Sequence, residues 1–554
     1  SKSALQNCSS GLLEGLGSPT RRTTGGENQS YRIKRHRGLG KELVCPFRHP
    51  TIVPETFGTE LQKTLLSVAS MTATPYRTHL FQDRKELYQI LLTGKQESIA
   101  KGCPQIVSIS QEIPPIDLLA VLQAFAKPDQ LQFYFEKGSQ QEAIAAIDAT
   151  TAFTIEGANR FVKAQQFIQA TLANILPGGN LTLPFSGPHF FCSFTFFDKK
   201  KTANSPFPAA TIFLPRWQVS CHQGSYVVVA NVEITAQINN LALLAERLEN
   251  QLRRISWYER RVSNVFQIEP QKIIKQAPQN AERFKSSVVS ALESIRTNQL
   301  NKIVLASAID VISPKAFNLV DALDTLRKRH PDCYIFSTSN GKGQNFIGAS
   351  PERLLSIHNH QLEVDALAGS APRGKTKTED AAFAYRLLSS QKERCEHQFV
   401  HNFISERLSQ LGLIPQMLPT PQLRKLTNIQ HLWTPIQAHL LADIHPLEIV
   451  AALHPTPAVA GVPTNIAQEQ IRRYETFDRT LYAAPLGWVD SQGNCEFIVG
   501  IRSALIESEK PSQLFANSYR ARLYAGAGIV AGSDPNKELA EIQLKLQALL
   551  KALL

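Results

Sequence analysis

Residues 301–312, Asn-Lys-Ile-Val-Leu-Ala-Ser-Ala-Ile-Asp-Val-Ile, hold the longest clean β signal in the second half of the chain. From Lys302 onward the run is apolar and rich in β-branched side chains, which suits a pleated, largely buried strand. It is bracketed by two stretches with helical spacing, 280–298 and 319–329. Outward from there the alternation continues. A strand is expected at 333–339 and one charged helix at 378–411. Strands follow near 486–489, 496–507 and 520–524, and a closing helix at 536–553. Upstream, 118–125 and 161–176 read as helical and 131–135, 152–156, 190–197, 209–214 and 226–234 as strands. A clearly amphipathic helix spans 241–255. Residues 198–208 read as a loop and 267–279 as a connector. Antiparallel strand sets interrupted by helices predict an α+β fold: a large layered α/β sandwich with antiparallel sheets flanked by helices.

The totals narrow the class. Hydrophobic residues make up 43% of the 554 and charged residues 19%, which is ordinary for a globular protein. No apolar run approaches the ~18–20 residues of a membrane span, so no membrane partner is expected. The net charge is +12. A surplus of five lies in residues 1–70, and the rest is spread without a basic stripe. Nucleic acid is therefore not expected as a partner, while a modest positive field suits a small dianion. The eight cysteines show no paired or zinc-like spacing and read as small buried hydrophobes in a reducing compartment.

Residues 1–70 stand apart. They lack Asp, carry the basic run Arg32-Ile33-Lys34-Arg35-His36-Arg37, and give way to ordinary composition at Met71. The segment reads as a disordered or non-native extension, or as a transit peptide. The natural start is expected at Met71, with a cytoplasmic location, or a plastid one if the extension is a transit signal. Residues 71–265 and 280–554 are then the two halves of one large domain.

Six segments look like a site. Lys302 opens its strand, either as a solvated strand end or as a desolvated lysine able to act as a base. In Gly348-Ala349-Ser350-Pro351-Glu352-Arg353 the Ser-Pro turn either carries an exposed Glu or fixes Glu352 as a positioned acid. Ala366-Leu367-Ala368-Gly369-Ser370-Ala371-Pro372-Arg373-Gly374 is a plain loop, or a backbone that a ligand approaches closely. Lys392-Glu393-Arg394-Cys395-Glu396-His397 lies on a helix, and Glu538 and Glu541 share one face of the last helix. Such acids are usually solvated, but two such faces brought together make an oxygen site suited to Mg²⁺. The sixth segment is Tyr524-Ala525-Gly526-Ala527-Gly528-Ile529-Val530. No GxGxxG or GKS/GKT is present, which excludes the dinucleotide and P-loop readings.

Taken in order, these segments resemble the chorismate-binding enzymes: isochorismate synthase, anthranilate synthase component I, aminodeoxychorismate synthase component I and salicylate synthase. The likeness also rests on Leu453-His454-Pro455-Thr456-Pro457-Ala458, Phe477-Asp478-Arg479 and Gly500-Ile501-Arg502-Ser503, and it covers about 280–554. It implies roles by position. Lys302 matches the water-activating base and Glu352 the acid that protonates the departing 4-hydroxyl. Glu396 and Glu541 match magnesium ligands, with Glu538 beside them. Arg502, Tyr482, Gly526 and Lys545 match groups that hold the two carboxylates of chorismate, and Gly369 and His431 line the ring pocket.

Within the family, Ala368 stands where aminodeoxychorismate synthases carry a nucleophilic lysine, and Lys302 where anthranilate synthases carry Gln. Ala458 stands where salicylate synthases carry Thr. The resemblance therefore implies isochorismate formation, with salicylate synthase and anthranilate synthase component I as alternatives. It implies chorismate as the small-molecule substrate, Mg²⁺ as cofactor, no obligatory glutaminase subunit, and a monomer. It leaves open whether the product feeds a quinone, a siderophore or salicylate. One departure is Asp365 where Glu is expected before the Ala-Leu-Ala-Gly turn, which puts the bracing of that turn in question.

Overall fold

A computed structural model describes residues 84–201, 205–256, 274–275, 279–427, 429–440, 444–509 and 518–553. The 1–70 extension and most of the 267–279 connector lie outside the described residues. The described chain is an α+β fold built on one branched antiparallel sheet, flanked by helices. Among the described strands only Gln105–Glu112 and Ile175–Gly179 pair in parallel.

The branch point is the long strand Ala210–His222. It pairs with Ser225–Ile234, with Glu142–Ile155 and with His189–Phe194. One arm leads from Glu142–Ile155 through Leu131–Lys137, Tyr334–Asn340, Asn345–Ser350 and Ser503–Glu509 to the paired strands Ser518–Val530 and Lys302–Ser313. The other leads from His189–Phe194 through Pro485–Asp490, Cys495–Val499 and Arg353–His358 to Gln361–Pro372 and Ile429–His439. Alternate side chains of both arms feed one large apolar core that includes Phe133, Phe191, Ile303, Leu355 and Leu523. Helix Gln391–Gln410 packs on the end of the second arm and helix Pro535–Leu553 on the end of the first. Two helices that carry carboxylates thus stand over the ends of the two arms.

Most predicted elements are present, and five differ for identifiable reasons. The single strand expected at 496–507 is two, Cys495–Val499 and Ser503–Glu509, broken by a turn in which Arg502 takes φ +49°. The single helix expected at 378–411 is two, Lys377–Ser389 and Gln391–Gln410. Ser390 adopts extended backbone between them and its side chain accepts from Glu393 N as an N-cap, which apolar spacing alone does not reveal. The helix at 161–176 stops at Leu172, and Ile175 starts a strand. The strand expected to end at Tyr524 runs on to Val530, straight through Gly526-Ala527-Gly528. The possible loop at 366–374 is largely strand, Gln361–Pro372, with a register shift between Ala368 and Ser370. Gly369 sits at that bulge with φ +77°, a conformation that favours glycine.

Candidate active site

A cavity of about 120 Å³ opens between the ends of the two arms. It is smaller than the ~300–1,000 Å³ of a drug-sized ligand site, so it suits one compact molecule. The first arm supplies Val304, Gly526 and Gly528, and the second Leu367, Gly369, Ser370 and His431. The two helices supply Glu393, Glu396, Glu538, Glu541 and Lys545, and connecting turns supply Glu352, Val459, Tyr482 and Arg502. Every residue to which the resemblance gives a catalytic, substrate-binding or metal role lines this cavity except Lys302, which lies directly behind its wall.

Lys302 is 0% exposed. Its Nζ stands 2.9 Å from Glu396 Oε1, off the line of a hydrogen bond. Gly528 separates this pair from the strand backbone. A Cβ there would come within 2.4 Å of Glu396 Oε1 and 3.3 Å of Lys302 Cε. Gly528→Ala is therefore expected to displace Glu396 and lower kcat by about tenfold or more, a misplacement cost consistent with positioned chemistry. Steady-state kinetics beside a melting curve check this, and unchanged kcat would show that Glu396 can move aside freely.

Glu352 is fixed by its backbone. Ser350 Oγ donates to Val499 O at 2.6 Å, Glu352 N donates to Ser350 Oγ at 3.2 Å, and Val499 N donates to Glu352 O at 3.1 Å. Its buried carboxyl is pushed up to about 8: desolvation raises it, Lys302 and Lys545 pull it down, and Asp365 adds a further push upward. At neutral pH it carries a proton. Asp365 itself is well braced, which answers the departure noted in the sequence. It accepts from Arg353 Nη2 at 3.1 Å, Trp433 Nε1 at 2.9 Å and Arg424 Nη1 at 3.0 Å. A shorter acid here reaches two guanidinium groups and an indole.

The carboxylates on the helices are each matched by a lysine. Lys392 Nζ is 3.2 Å from Glu538 and 3.7 Å from Glu393, and Lys545 Nζ is 2.7 Å from Glu541. Burial raises Glu538 and Glu393 above the usual carboxylate range. At Glu541 burial acts the same way, but Lys545, Lys392 and Lys302 outweigh it and hold the group low. Lys545 Nζ also donates to Gly526 O at 2.9 Å. Among the described residues no three His, Cys, Asp or Glu side chains form a ready-made metal cage. Mg²⁺ needs only one or two protein carboxylates, its other positions being filled by waters and substrate oxygens. An all-oxygen donor set on two facing helices fits that ion.

Some working parts escaped the sequence reading. Glu393 stands in the Lys392–His397 segment but has no role in the sequence reading; it lies three residues before Glu396 on one helix face, the same spacing that picked out Glu538 and Glu541. Arg479 and Glu475 form a fully buried pair behind the wall. Arg479 donates to Glu475 at 2.6 and 2.9 Å, to Val459 O at 2.8 Å and to Val304 O at 2.8 Å. Glu475 Oε1 accepts from Ala306 N at 2.8 Å. The pair ties the Lys302 strand to the Val459 turn, and Arg479 stands in the Phe477-Asp478-Arg479 motif without a chemical cue to that task.

The chain belongs to the chorismate-binding enzymes: the family described as chorismate binding enzyme matches residues 93–554. Among its relatives it is similar to isochorismate synthases. It is 38% identical over 279 residues to the salicylate biosynthesis isochorismate synthase of Pseudomonas aeruginosa, covering 50% of this chain and 55% of that protein's length. It is 30% identical over 447 residues to the isochorismate synthase MenF of Haemophilus influenzae, covering 80% of this chain and 91% of that one. The menaquinone-specific isochorismate synthase from Escherichia coli shares the fold, with a TM-score of 0.65 at 24% identity over 84% of this chain and 100% of that one.

Proposed function

We infer that the protein is an isochorismate synthase, which adds water at C2 of chorismate and releases the hydroxyl from C4 while the ring double bonds shift. The observation that carries this reading is Glu352, a rigidly held carboxyl on the cavity wall that keeps its proton to about pH 8. Hydroxide is a poor leaving group, and a protonated acid at the C4 oxygen turns it into water. Water is also a poor nucleophile, and Lys302, 2.9 Å from the helix residue Glu396 behind the cavity wall, is assigned as the base that takes its proton. Each such proton transfer is typically worth ~10²–10⁴-fold. Water enters and water leaves, so the reaction balances with no further reactant.

Arg502 and Lys545 are assigned to the two carboxylates of chorismate, with Tyr482 and Gly526 shaping the same wall and Gly369 and His431 bordering the ring. Glu396 and Glu541 would hold Mg²⁺, with Glu538 beside them. When bound, the ion neutralises a substrate carboxylate and fixes its orientation. Because the nucleophile is water, no ammonia and so no glutaminase subunit is needed, and the chain is taken to act as a monomer.

The test is product analysis with chorismate and Mg²⁺, with and without ammonium. Isochorismate is expected in both, and excess EDTA should bring the rate to background. Salicylate with pyruvate, or anthranilate in the ammonium arm, would assign the chain to another branch of the family. Full turnover in EDTA would remove the metal from the scheme.

A further inference from the structure

Arg502 enters the cavity from a strained turn. Its φ of +49° lies in the left-handed region that a non-glycine residue rarely occupies. Among the described residues no carboxylate pairs with its guanidinium. Its side-chain contacts are Cys333 Sγ at 3.9 Å, a weak acceptor, and His431 Nε2 at 3.3 Å. A guanidinium only donates, so Nε2 must be the bare nitrogen of that ring. The single proton of a neutral imidazole then sits on Nδ1, which is 3.0 Å from Ser370 Oγ. Ser370 is itself fixed, because its backbone N donates to Glu393 Oε2 at 3.0 Å beside the Gly369 bulge.

We propose that Ser370 and His431 are positioning residues that hold Arg502 aimed at the substrate, with His431 locked as the neutral Nδ1–H tautomer. The proposal rests on Arg502 holding a substrate carboxylate. The chain of contacts runs Glu393, Ser370, His431, Arg502, so the Glu393 helix and the anion-binding cation are joined through one strand bulge. An imidazolium would aim a proton at Arg502 and break the link. The surroundings oppose that state: burial, Arg502, Lys545 and Arg424 all disfavour a charge on His431, and only the carbonyl of Gly369 favours one. Arg424 faces it from the neighbouring strand and Lys545 from the last helix.

Two measurements on the full chain test this. In ¹⁵N-histidine-labelled protein, with the His431 signals assigned by loss in His431→Gln, Nδ1 should carry the proton and Nε2 none, without titration from about pH 5.5 to 8.5. A protonated Nε2, or a titration within that range, would overturn the proposal. In kinetics, Ser370→Ala should raise KM for chorismate about five- to tenfold, the scale of one lost hydrogen bond, with kcat and melting temperature nearly unchanged. Ser370→Thr, which keeps the hydroxyl, should restore KM. A wild-type KM in Ser370→Ala, or a fall in kcat alone, would equally overturn it. If the unmodified chain formed no isochorismate, the functional reading would fail instead, and the tautomer measurement on unliganded protein would still decide the brace.

Discussion

Glu352→Gln is expected to lower isochorismate formation by at least ~10²-fold, the lower range for a lost general acid, while chorismate still binds. Gln matches the shape and can offer an N–H, but it cannot surrender a proton to a departing hydroxyl. The backbone ties through Ser350 and Val499 do not involve the carboxyl, so they survive the change. In the unmodified enzyme, kcat/KM should fall as pH rises through about 8, where Glu352 ionises, and that limb should be absent from whatever activity the variant keeps. Stability moves in the same window. The folded carboxyl binds its proton more tightly than its ordinary value of 4.5 allows, so the stabilisation is complete below that value and is lost as pH rises toward about 8. Gln has no such dependence. The melting temperature of the unmodified protein should therefore decline relative to the variant between those two pH values. A variant keeping more than about a tenth of the rate would show that the leaving group is protonated from elsewhere.

Legibility in the sequence followed the physics of each element. The strand at Lys302 and its flanking helices could be placed because their patterns are long and one-sided: Ile303, Leu305 and Val311 are all buried. The break at Ser390 could not, because both helices keep the same spacing and the break depends on one side chain turning back to cap Glu393 N. Gly526-Ala527-Gly528 was unreadable as strand because glycine weakens strand propensity. The packed side chains of Glu396 and Lys302 explain why no side chain fits at 528.

The site divides along similar lines. Carboxylates at helical spacing and an acid after a Ser-Pro turn are local patterns, and the resemblance supplied their order along the chain. Glu393 could have been found by the same three-residue spacing. The grip of the Arg479–Glu475 pair on Val304, Ala306 and Val459 could not, nor could the Ser370–His431–Arg502 chain, because both join residues far apart in sequence through tertiary contacts. Buried ion pairs often contribute little net stability, since desolvation offsets their attraction. Arg479 therefore makes more sense as a fixture for Val304 and Val459 than as a stabiliser of the fold.

Lys302→Ala should be as damaging as loss of Glu352, and it can separate two roles that the geometry allows. Lys302 is wholly buried and stands against Glu396. It is either the base that activates water or a brace that holds Glu396 for the metal. If it is the base, kcat falls by ~10²-fold or more and stays low at saturating Mg²⁺, while chorismate and Mg²⁺ still bind. Removing a cation beside Glu396 should, if anything, strengthen Mg²⁺ binding, because one carboxylate no longer shares its charge with a lysine. If it is only a brace, the loss appears as a higher Mg²⁺ requirement and raising the metal concentration restores the rate. Lys302→Arg extends the argument: it keeps a cation near Glu396, but a guanidinium does not deprotonate in the working range. It should therefore be as inactive as Lys302→Ala under the base assignment and largely active under the brace. Measuring kcat against Mg²⁺ concentration for both variants decides the matter. Recovery to more than about a tenth of the rate in either would move the water-activating role from Lys302 to the metal.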